Sequence, residues 1–117
     1  MIPLMRRNKY NARPTEYRGW LFGSKLEAEQ AAELDVLQGC GKIRWWLRQV
    51  PLDLTEDDRY KLDFLVCDDV GNVYGLETKG YETPSWKRTK KLLMKYAPFE
   101  IKVVFKNKTI LIEPECT

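Results

Sequence analysis

The 117-residue chain contains no histidine, only three cysteines and no apolar run long enough to span a membrane. Without histidine it cannot form a histidine-ligated metal site, a Ser-His catalytic triad or a histidine general base. Its cysteines, Cys40, Cys67 and Cys116, form no C-x-x-C pair and leave an odd count, which indicates reduced thiols rather than a disulfide framework or a zinc site. Carboxylates and lysine must therefore carry any chemistry.

Length and composition predict a single small domain. A hydrophobic content of 44% with 12% aromatics is enough for one core without disulfides. Residues 1–5 are too short and wrongly flanked for a signal peptide, and we expect no membrane partner. The expected location is the cytoplasm, or the host cytoplasm if a phage encodes the chain.

A hairpin is predicted near the middle of the chain. Segments 59–67 and 72–79 are rich in Val, Leu, Tyr and Phe, and turn-forming residues separate them. If Cys67 pairs with Val73, the register of the two strands is set along their whole length. The sequence therefore predicts which side chains of the two strands face each other.

Two carboxylates and a lysine meet in that register. Asp63 lies opposite Glu77 on one face, and Lys79 shares the face because strand side chains alternate with period two. Opposed like charges destabilise a sheet, so the pair needs a counter-ion, which a divalent metal would supply. The alternative is an ordinary solvated face on which Lys79 is a surface ion-pair partner.

A third acid is predicted on a helix. Ser24 has the character of an N-cap, and the helix is expected to run to about Gln38. Glu27, Ala31 and Leu34 fall at i, i+4 and i+7, which places Glu27 at the head of the core-facing stripe. The alternative is that Ser24-x-x-Glu27 is a capping box without chemistry.

The remaining chain completes a sheet. Residues 43–50 form a strand that Pro51 is expected to end, and Trp45 and Trp46 should point to opposite faces. A late hairpin is expected from 100–106 and 109–113. The two tryptophans could stack on an exposed base, but large aromatics in a strand more often lie in a core or a dimer interface.

Glu27 on a helix, Asp63 on a strand and Glu77-Thr78-Lys79 on the next strand together resemble the PD-(D/E)XK nuclease superfamily. The resemblance extends from about residue 17 to 112. It implies an α/β (α+β) restriction-endonuclease-like core, a central mixed sheet flanked by helices in the order helix-strand-strand-strand-helix-strand. One departure is Leu62, since the superfamily often has proline before the first strand acid.

The resemblance implies a Mg²⁺ site, in which Mn²⁺ can substitute. Asp63, Glu77 and the carbonyl of Thr78 would bind the metal, and Glu27 would hold a water or help recruit a second ion. Lys79 would orient or activate the attacking water, and cleavage would leave a 5′-phosphate and a 3′-hydroxyl. Gln49 would be auxiliary, holding a water or a phosphate; an ordinary edge-strand glutamine is the equal alternative.

Positive charge is clustered although the net charge is only +3. Residues 1–18 are predicted to form a basic arm preceding one nuclease domain over residues 19–117, and a second cluster lies in the helix after Thr83-Pro84. The predicted DNA contacts are Arg6, Arg7, Lys9, Ser24, Lys25, Trp86, Lys87, Lys90 and Lys91. Trp86, Thr89, Leu93 and Tyr96 should share one side of the helix. The alternative is a solvated tail and an ordinary amphipathic helix.

Four local strings resemble those of small phage and prophage endonucleases: SKLEAEQA, RQVPLDL, YKLDFLV and LETKGY. The spacing between the acids is similar to that of archaeal Holliday-junction resolvases. The function this implies is Mg-dependent cleavage of branched DNA during phage DNA processing or recombination. The alternatives are a nicking or restriction-like endonuclease on ordinary duplex, and a DNA-binding module without catalysis. Resolving a junction needs paired cuts, so a homodimer is expected. Its candidate interface residues are Trp20, Phe22, Trp45 and Trp46.

Overall fold

A computed structural model describes residues 13–114, which form seven strands and two helices. The elements are β1 Thr15–Tyr17, β2 Trp20–Phe22, α1 Lys25–Gly39, β3 Ile43–Asp53, β4 Arg59–Asp68, β5 Val73–Thr78, α2 Pro84–Tyr96, β6 Ile101–Val104 and β7 Thr109–Ile112. Arg6, Arg7, Lys9 and Cys116 lie outside the described residues. Cys40 and Cys67 are both free thiols, as expected.

A mixed five-stranded sheet forms the centre of the fold, with strand order β3-β4-β5-β6-β7. All its neighbours are antiparallel except β5 and β6, which are parallel and are connected through α2. The predicted α+β class, with a mixed sheet flanked by helices, is confirmed. The predicted late hairpin is confirmed as β6 and β7, although both strands are shorter than expected.

The β4–β5 register is the one that the sequence predicts. Cys67 pairs with Val73, and the pairing continues to Phe64 opposite Leu76. Asp68 closes the turn, since its Oδ1 accepts hydrogen bonds from the amides of Val70 and Asn72. The next step along the register brings Asp63 to Glu77.

A short hairpin precedes α1, and the sequence analysis did not predict it. Thr15–Tyr17 pairs with Trp20–Phe22 in a two-stranded sheet. Arg18 and Gly19 connect the strands with φ values of 54° and 83°, the left-handed conformation that two-residue hairpin loops require. Strand structure therefore begins at Thr15, inside the predicted arm of residues 1–18.

The expectation that Pro51 ends β3 is also wrong. The strand continues to Asp53, and Pro51 occupies a regular position opposite Lys61. β3 lies at the edge of the sheet, and an edge strand tolerates proline because the amide on its open side has no ladder partner to lose.

Two apolar clusters fill the interior. The α1 cluster consists of Phe22, Ala28, Ala31, Leu34, Ile43, Phe64, Val66 and Leu76. The α2 cluster consists of Leu62, Trp86, Leu93, Ala97, Ile101, Val103, Phe105 and Ile112. Each helix therefore buries its apolar side chains in a cluster of its own.

The two edge-side strands change cluster in mid-strand. Phe64 belongs to the α1 cluster and Leu62 to the α2 cluster, although strict alternation would place both on one face. Gln49 lies between Arg48 and Val50 on the neighbouring strand, and its φ of 54° is in the left-handed region. A non-glycine residue rarely adopts that conformation, and here it marks where β3 and β4 switch faces.

Several predicted exposures are corrected by this packing. Phe22 is fully buried, so it is not available for a subunit interface in the described fold, and Trp46 is partly buried against the α1 cluster. Trp20 and Trp45 remain 46% and 36% exposed. Tyr96, expected on the packed side of α2, is exposed at the end of the helix.

No helix within residues 13–114 is long and apolar enough to cross a membrane.

Candidate active site

A cavity of about 450 Å³ opens where β5 ends. The N-terminus of α1 contributes Glu27 to its wall, and β4 contributes Asp63. Lys79, which directly follows β5, and Trp86, in the first turn of α2, complete the part of the lining that the sequence predicts. We call this space the acidic cavity. Six predicted site residues thus line one space: Ser24, Glu27, Asp63, Thr78, Lys79 and Trp86.

Asp63 is held by the backbone and side chain of the next strand. Its Oδ2 accepts hydrogen bonds from Thr78 N at 2.9 Å and from Thr78 Oγ1 at 3.0 Å. Burial raises the pKa of Asp63, while these two bonds and the charge of Lys79 oppose the rise. The two donors fix Asp63 at the cavity wall. Thr78, predicted to act through its carbonyl, here acts through its amide and hydroxyl.

Glu77 is the most deeply buried acid of the site, with none of its surface exposed. Its Oε1 accepts a hydrogen bond of 2.6 Å from Asp63 N, and its Oε2 accepts one from the Tyr60 hydroxyl. Lys79 Nζ lies 3.7 Å from the same Oε2. Burial and the charge of Asp63 raise the pKa of Glu77 to about 8, although Tyr60 and Lys79 lower it.

The Asp63 and Glu77 carboxylates are held by bonds across the β4–β5 pair. Each accepts a hydrogen bond from the backbone of the strand that carries the other. These donors stabilise the two buried carboxylates, since an unsatisfied buried charge is costly.

Glu27 approaches from the helix side, as its position in the helical repeat predicts. It is 7% exposed, and its Oε2 accepts a hydrogen bond of 3.1 Å from Gln49 Nε2. Burial and the charge of Asp63 raise the pKa of Glu27 to about 7, with Arg48 opposing the rise. Ser24 caps α1 by accepting from Glu27 N at 3.1 Å, which is one half of a capping box. The Glu27 carboxylate itself is directed to Gln49.

Gln49 thus contacts the site, and its left-handed backbone accompanies its hydrogen bond to Glu27. The register places it opposite Asp63, between the pairs Arg48–Phe64 and Val50–Leu62. Left-handed φ at a non-glycine residue costs of order 1 kcal/mol or more and persists where surrounding structure demands it. The hydrogen bond to Glu27 is the contact made at this position.

Lys79 lies between the acids and two aromatic rings. Its Nζ is 4.4 Å from the centroid of the Trp86 ring and 5.9 Å from that of Tyr60. Its amide donates to Val104 O at 3.0 Å, which extends the β5–β6 pairing by one residue. The backbone of Lys79 is therefore fixed, while its ammonium lies against Glu77 and the aromatic pair.

The predicted DNA contacts differ in how available they are. Trp86 is only 4% exposed and belongs to the α2 cluster, although it also lines the acidic cavity. Lys90 pairs with Glu82 at 3.3 Å. Lys87 and Lys91 are exposed and take part in no ion pair among residues 13–114. Lys25, in the first turn of α1, is also exposed.

The carboxylate oxygens of the site suit an oxygen-preferring divalent cation, but the acidic side chains are less closely grouped than predicted. Within the described part of the chain, no three His, Cys, Asp or Glu side chains lie close enough together to hold a metal ion. Asp63 and Glu27 line the cavity, whereas Glu77 is fully buried and is not among the lining residues. Burial is the largest cause of the raised pKa of each of these acids, and the charge of Asp63 adds to the rise at Glu27 and Glu77.

Sequence reasoning missed two residues of the site. Tyr60 stands three positions before Asp63, which in a regular strand puts the two on opposite faces, so the alternation gave no signal for it. Arg48 was missed for the same reason, although its charge lowers the pKa of Glu27. Trp86 was predicted, but as a DNA contact rather than as a neighbour of Lys79.

Comparisons with protein-family models, with curated proteins and with solved structures found no match for the chain.

Proposed function

We propose that the chain is a metal-dependent DNA endonuclease that hydrolyses phosphodiester bonds. One observation carries the proposal: Glu27, Asp63 and Lys79 line one cavity with Glu77 directly behind them, and burial raises the pKa of all three acids. Buried carboxylates of this kind cost stability, and strongly shifted pKa values cluster at functional sites.

Asp63 and Glu27 are the residues that would hold Mg²⁺ from the cavity side, with Glu77 adding negative charge behind them. Bound there, the cation would supply charge neutralisation at the scissile phosphate and a water of lowered pKa. Thr78 keeps Asp63 oriented through its amide and hydroxyl. Gln49 does the same for Glu27 through its side-chain amide.

Lys79 is the proposed cationic catalyst. Its ammonium lies within 3.7 Å of Glu77 and lines the cavity, so it can reach a phosphate oxygen or an attacking water there. A fixed positive charge placed where negative charge develops stabilises the transition state without reorganisation. The acids alone would repel the phosphate, and Lys79 offsets that repulsion.

The substrate is proposed to be branched DNA, with a homodimer making paired cuts. Lys87 and Lys91 on α2 and Lys25 on α1 are exposed, and backbone contacts of this type position DNA without reading its sequence. Trp20 and Trp45 offer exposed aromatic surface for a second copy. Cytoplasmic action on phage DNA belongs to the same proposal.

The test is cleavage by the purified full-length protein with Mg²⁺ and with Mn²⁺. The substrates are linear duplex, single strand, flap, splayed arm and four-way junction, each labelled on one strand at a time. We expect metal-dependent cleavage that is fastest on the junction, with symmetry-related cuts and a dimeric mass by light scattering.

Other results would redirect the proposal. Single nicks on plain duplex by a monomer would replace junction resolution with nicking activity. DNA binding without cleavage in either metal would overturn the endonuclease assignment and leave a binding module.

A further inference from the structure

Lys79 is enclosed on two sides by aromatic rings that have no role in metal binding. Its Nζ is 4.4 Å from the Trp86 ring centroid and 5.9 Å from that of Tyr60. The two rings are 6.3 Å apart and inclined by 44°. Both belong to or pack on the α2 cluster, so their positions are fixed by the core.

This enclosure solves a problem that a lysine poses for catalysis. A lysine side chain is long and flexible, and its ammonium loses effect if it samples many positions. An aromatic face attracts a cation, most strongly when the ring is tryptophan and the site is sheltered from water. The side chain of Lys79 is only 27% exposed, and the face of Trp86 lies at a favourable distance.

Tyr60 acts on Lys79 by a second route. Its hydroxyl donates to Glu77 Oε2, the oxygen that lies 3.7 Å from Lys79 Nζ. The hydrogen bond holds the carboxylate in the rotamer that meets the ammonium. Tyr60 therefore fixes the anion, and Trp86 provides the surface against which the cation lies.

We propose that Trp86 and Tyr60 are positioning residues that hold the Lys79 ammonium at the wall of the acidic cavity. The inference rests on the proposed function, in which Lys79 acts on the phosphate or the attacking water. Under this inference Trp86 does not contact DNA. Its ring, buried in the α2 cluster, instead contacts the Lys79 ammonium.

The chain provides a matched control for Trp86. Phe105 is also a buried aromatic of the α2 cluster, 8% exposed, and Lys108 Nζ lies 5.3 Å from its ring centroid. Phe105 is not among the residues that line the acidic cavity. Trp86→Leu and Phe105→Leu therefore both remove a core aromatic beside a lysine, but only one of these lysines is at the cavity.

The first readout is single-turnover cleavage of the substrate that the wild type cuts fastest, with DNA affinity measured in Ca²⁺. We expect Trp86→Leu to cut about tenfold more slowly than Phe105→Leu, with dissociation constants within about twofold of each other. Trp86→Phe, which keeps a ring, should lie between the wild type and Trp86→Leu. If Trp86→Leu fails to fold, Trp86→Phe carries the comparison with a smaller loss.

The second readout is independent of nuclease activity. Reductive methylation with ¹³C-formaldehyde gives each lysine an NMR signal, and Lys79→Arg identifies the one from Lys79. A ring current over Trp86 should displace that signal upfield in the wild type and in Phe105→Leu. The displacement should be lost in Trp86→Leu and reduced in Trp86→Phe.

Tyr60→Phe separates the two routes, since it keeps the ring and removes the hydroxyl. We expect slower cleavage with unchanged DNA affinity and a Lys79 signal that is still displaced; full activity would remove Tyr60 from the proposal. Equal cleavage by Trp86→Leu and Phe105→Leu, or an undisplaced Lys79 signal in the wild type, would overturn the proposal for Trp86. If the wild type cuts no DNA, the proposed function is refuted instead. The displacement of the Lys79 NMR signal would then be the test of whether Trp86 positions Lys79.

Discussion

Two cavities formed by residues of the described range 13–114 are similar in size but differ in chemistry. The acidic cavity has a volume of about 450 Å³, and a second one of about 490 Å³ lies beside the β4–β5 turn. We call the second the hairpin cavity; Lys42, Asp68, Glu100 and Lys102 are among the residues that line it. Size therefore does not distinguish a site from a surface depression in this fold.

Burial and charge balance do distinguish them. In the hairpin cavity, Asp68 closes a turn through two backbone amides and Glu100 is exposed, with two lysines nearby. In the acidic cavity, the carboxylates of Glu27 and Asp63 lie in poorly solvated positions with only Lys79 in the lining to balance them. The proposed cation would offset the cost of burying these carboxylates, since a buried charge without a partner of opposite sign is unfavourable.

The largest expected effect comes from comparing the two aspartates of β4. Asp63→Asn should lower metal-dependent cleavage by more than about 100-fold, because even partners behind a metal ligand are worth about 10–100-fold. DNA binding should be kept or become tighter, since one charge that repels phosphate is removed. Single-turnover cleavage and binding titrations measure both.

Asp68→Asn is the matched change at the hairpin cavity. An asparagine oxygen can still accept from the turn amides, so cleavage should stay within about twofold of the wild type, as for ordinary surface substitutions. Equal losses of cleavage in Asp63→Asn and Asp68→Asn would show that the two cavities do not differ in function.

Intermediate effects are expected from the exposed lysines. Replacing Lys87 and Lys91 with alanine should weaken binding to all DNA sequences. It should also flatten the plot of log affinity against log salt by roughly 0.9 for each phosphate that is no longer neutralised. The same double change at Lys42 and Lys102, beside the hairpin cavity, should leave the slope unaltered. Fluorescence anisotropy over a salt series measures this, and identical slopes in all three proteins would exclude α2 from the DNA path.

The smallest expected effect is on stability and its dependence on pH. Glu27 has its pKa raised from 4.5 to about 7, and Glu77 has its pKa raised to about 8. A raised folded-state pKa means that the stabilising contribution is complete below about pH 4.5 and is lost as pH rises through 7 to 8. Without divalent metal, the melting temperature should therefore fall by several degrees between pH 5.5 and 8.5.

Glu27→Gln should reduce that fall, because it removes one of the three acids whose pKa burial raises. Glu100→Gln, at the hairpin cavity, should not change it. Calorimetry in EDTA across the pH range supplies the values, and adding Mg²⁺ should restore stability at the alkaline end if the acids hold the cation. A melting temperature that is flat in pH would contradict the raised pKa values.

Local patterns predicted the parts of the site that lie on regular elements. The β4–β5 register followed from strand alternation and a turn rich in Asp, Gly and Asn, and it brought Asp63 to Glu77. The position of Glu27 followed from Ser24 as the cap and from a 3.6-residue period. Both are short-range properties of the chain, which a single sequence contains.

The rest depends on contacts between distant segments and on one irregular residue. The left-handed backbone at Gln49 occurs where β3 and β4 switch faces, and the residue pattern around it does not predict that conformation. That switch brings the Tyr60 hydroxyl to Glu77, against the expectation from alternation. The β1–β2 hairpin did carry a signal, the glycine at position 19 in a two-residue loop, but its strands are only three residues long.

The parallel pairing of β5 with β6 has a consequence for the order in which the site is assembled during folding. Asp63 and Glu77 belong to adjacent antiparallel strands joined by a short turn, and such local contacts close quickly. The Trp86 ring reaches its place only when α2 has crossed over and β6 has docked, which closes a much longer loop. The carboxylates should therefore be assembled before the aromatic wall of Lys79, and pulsed hydrogen exchange should protect the amides of β4 before those of β6. A newly made chain would then hold its charged acids in register before it acquires the ordered lysine that its proposed chemistry needs.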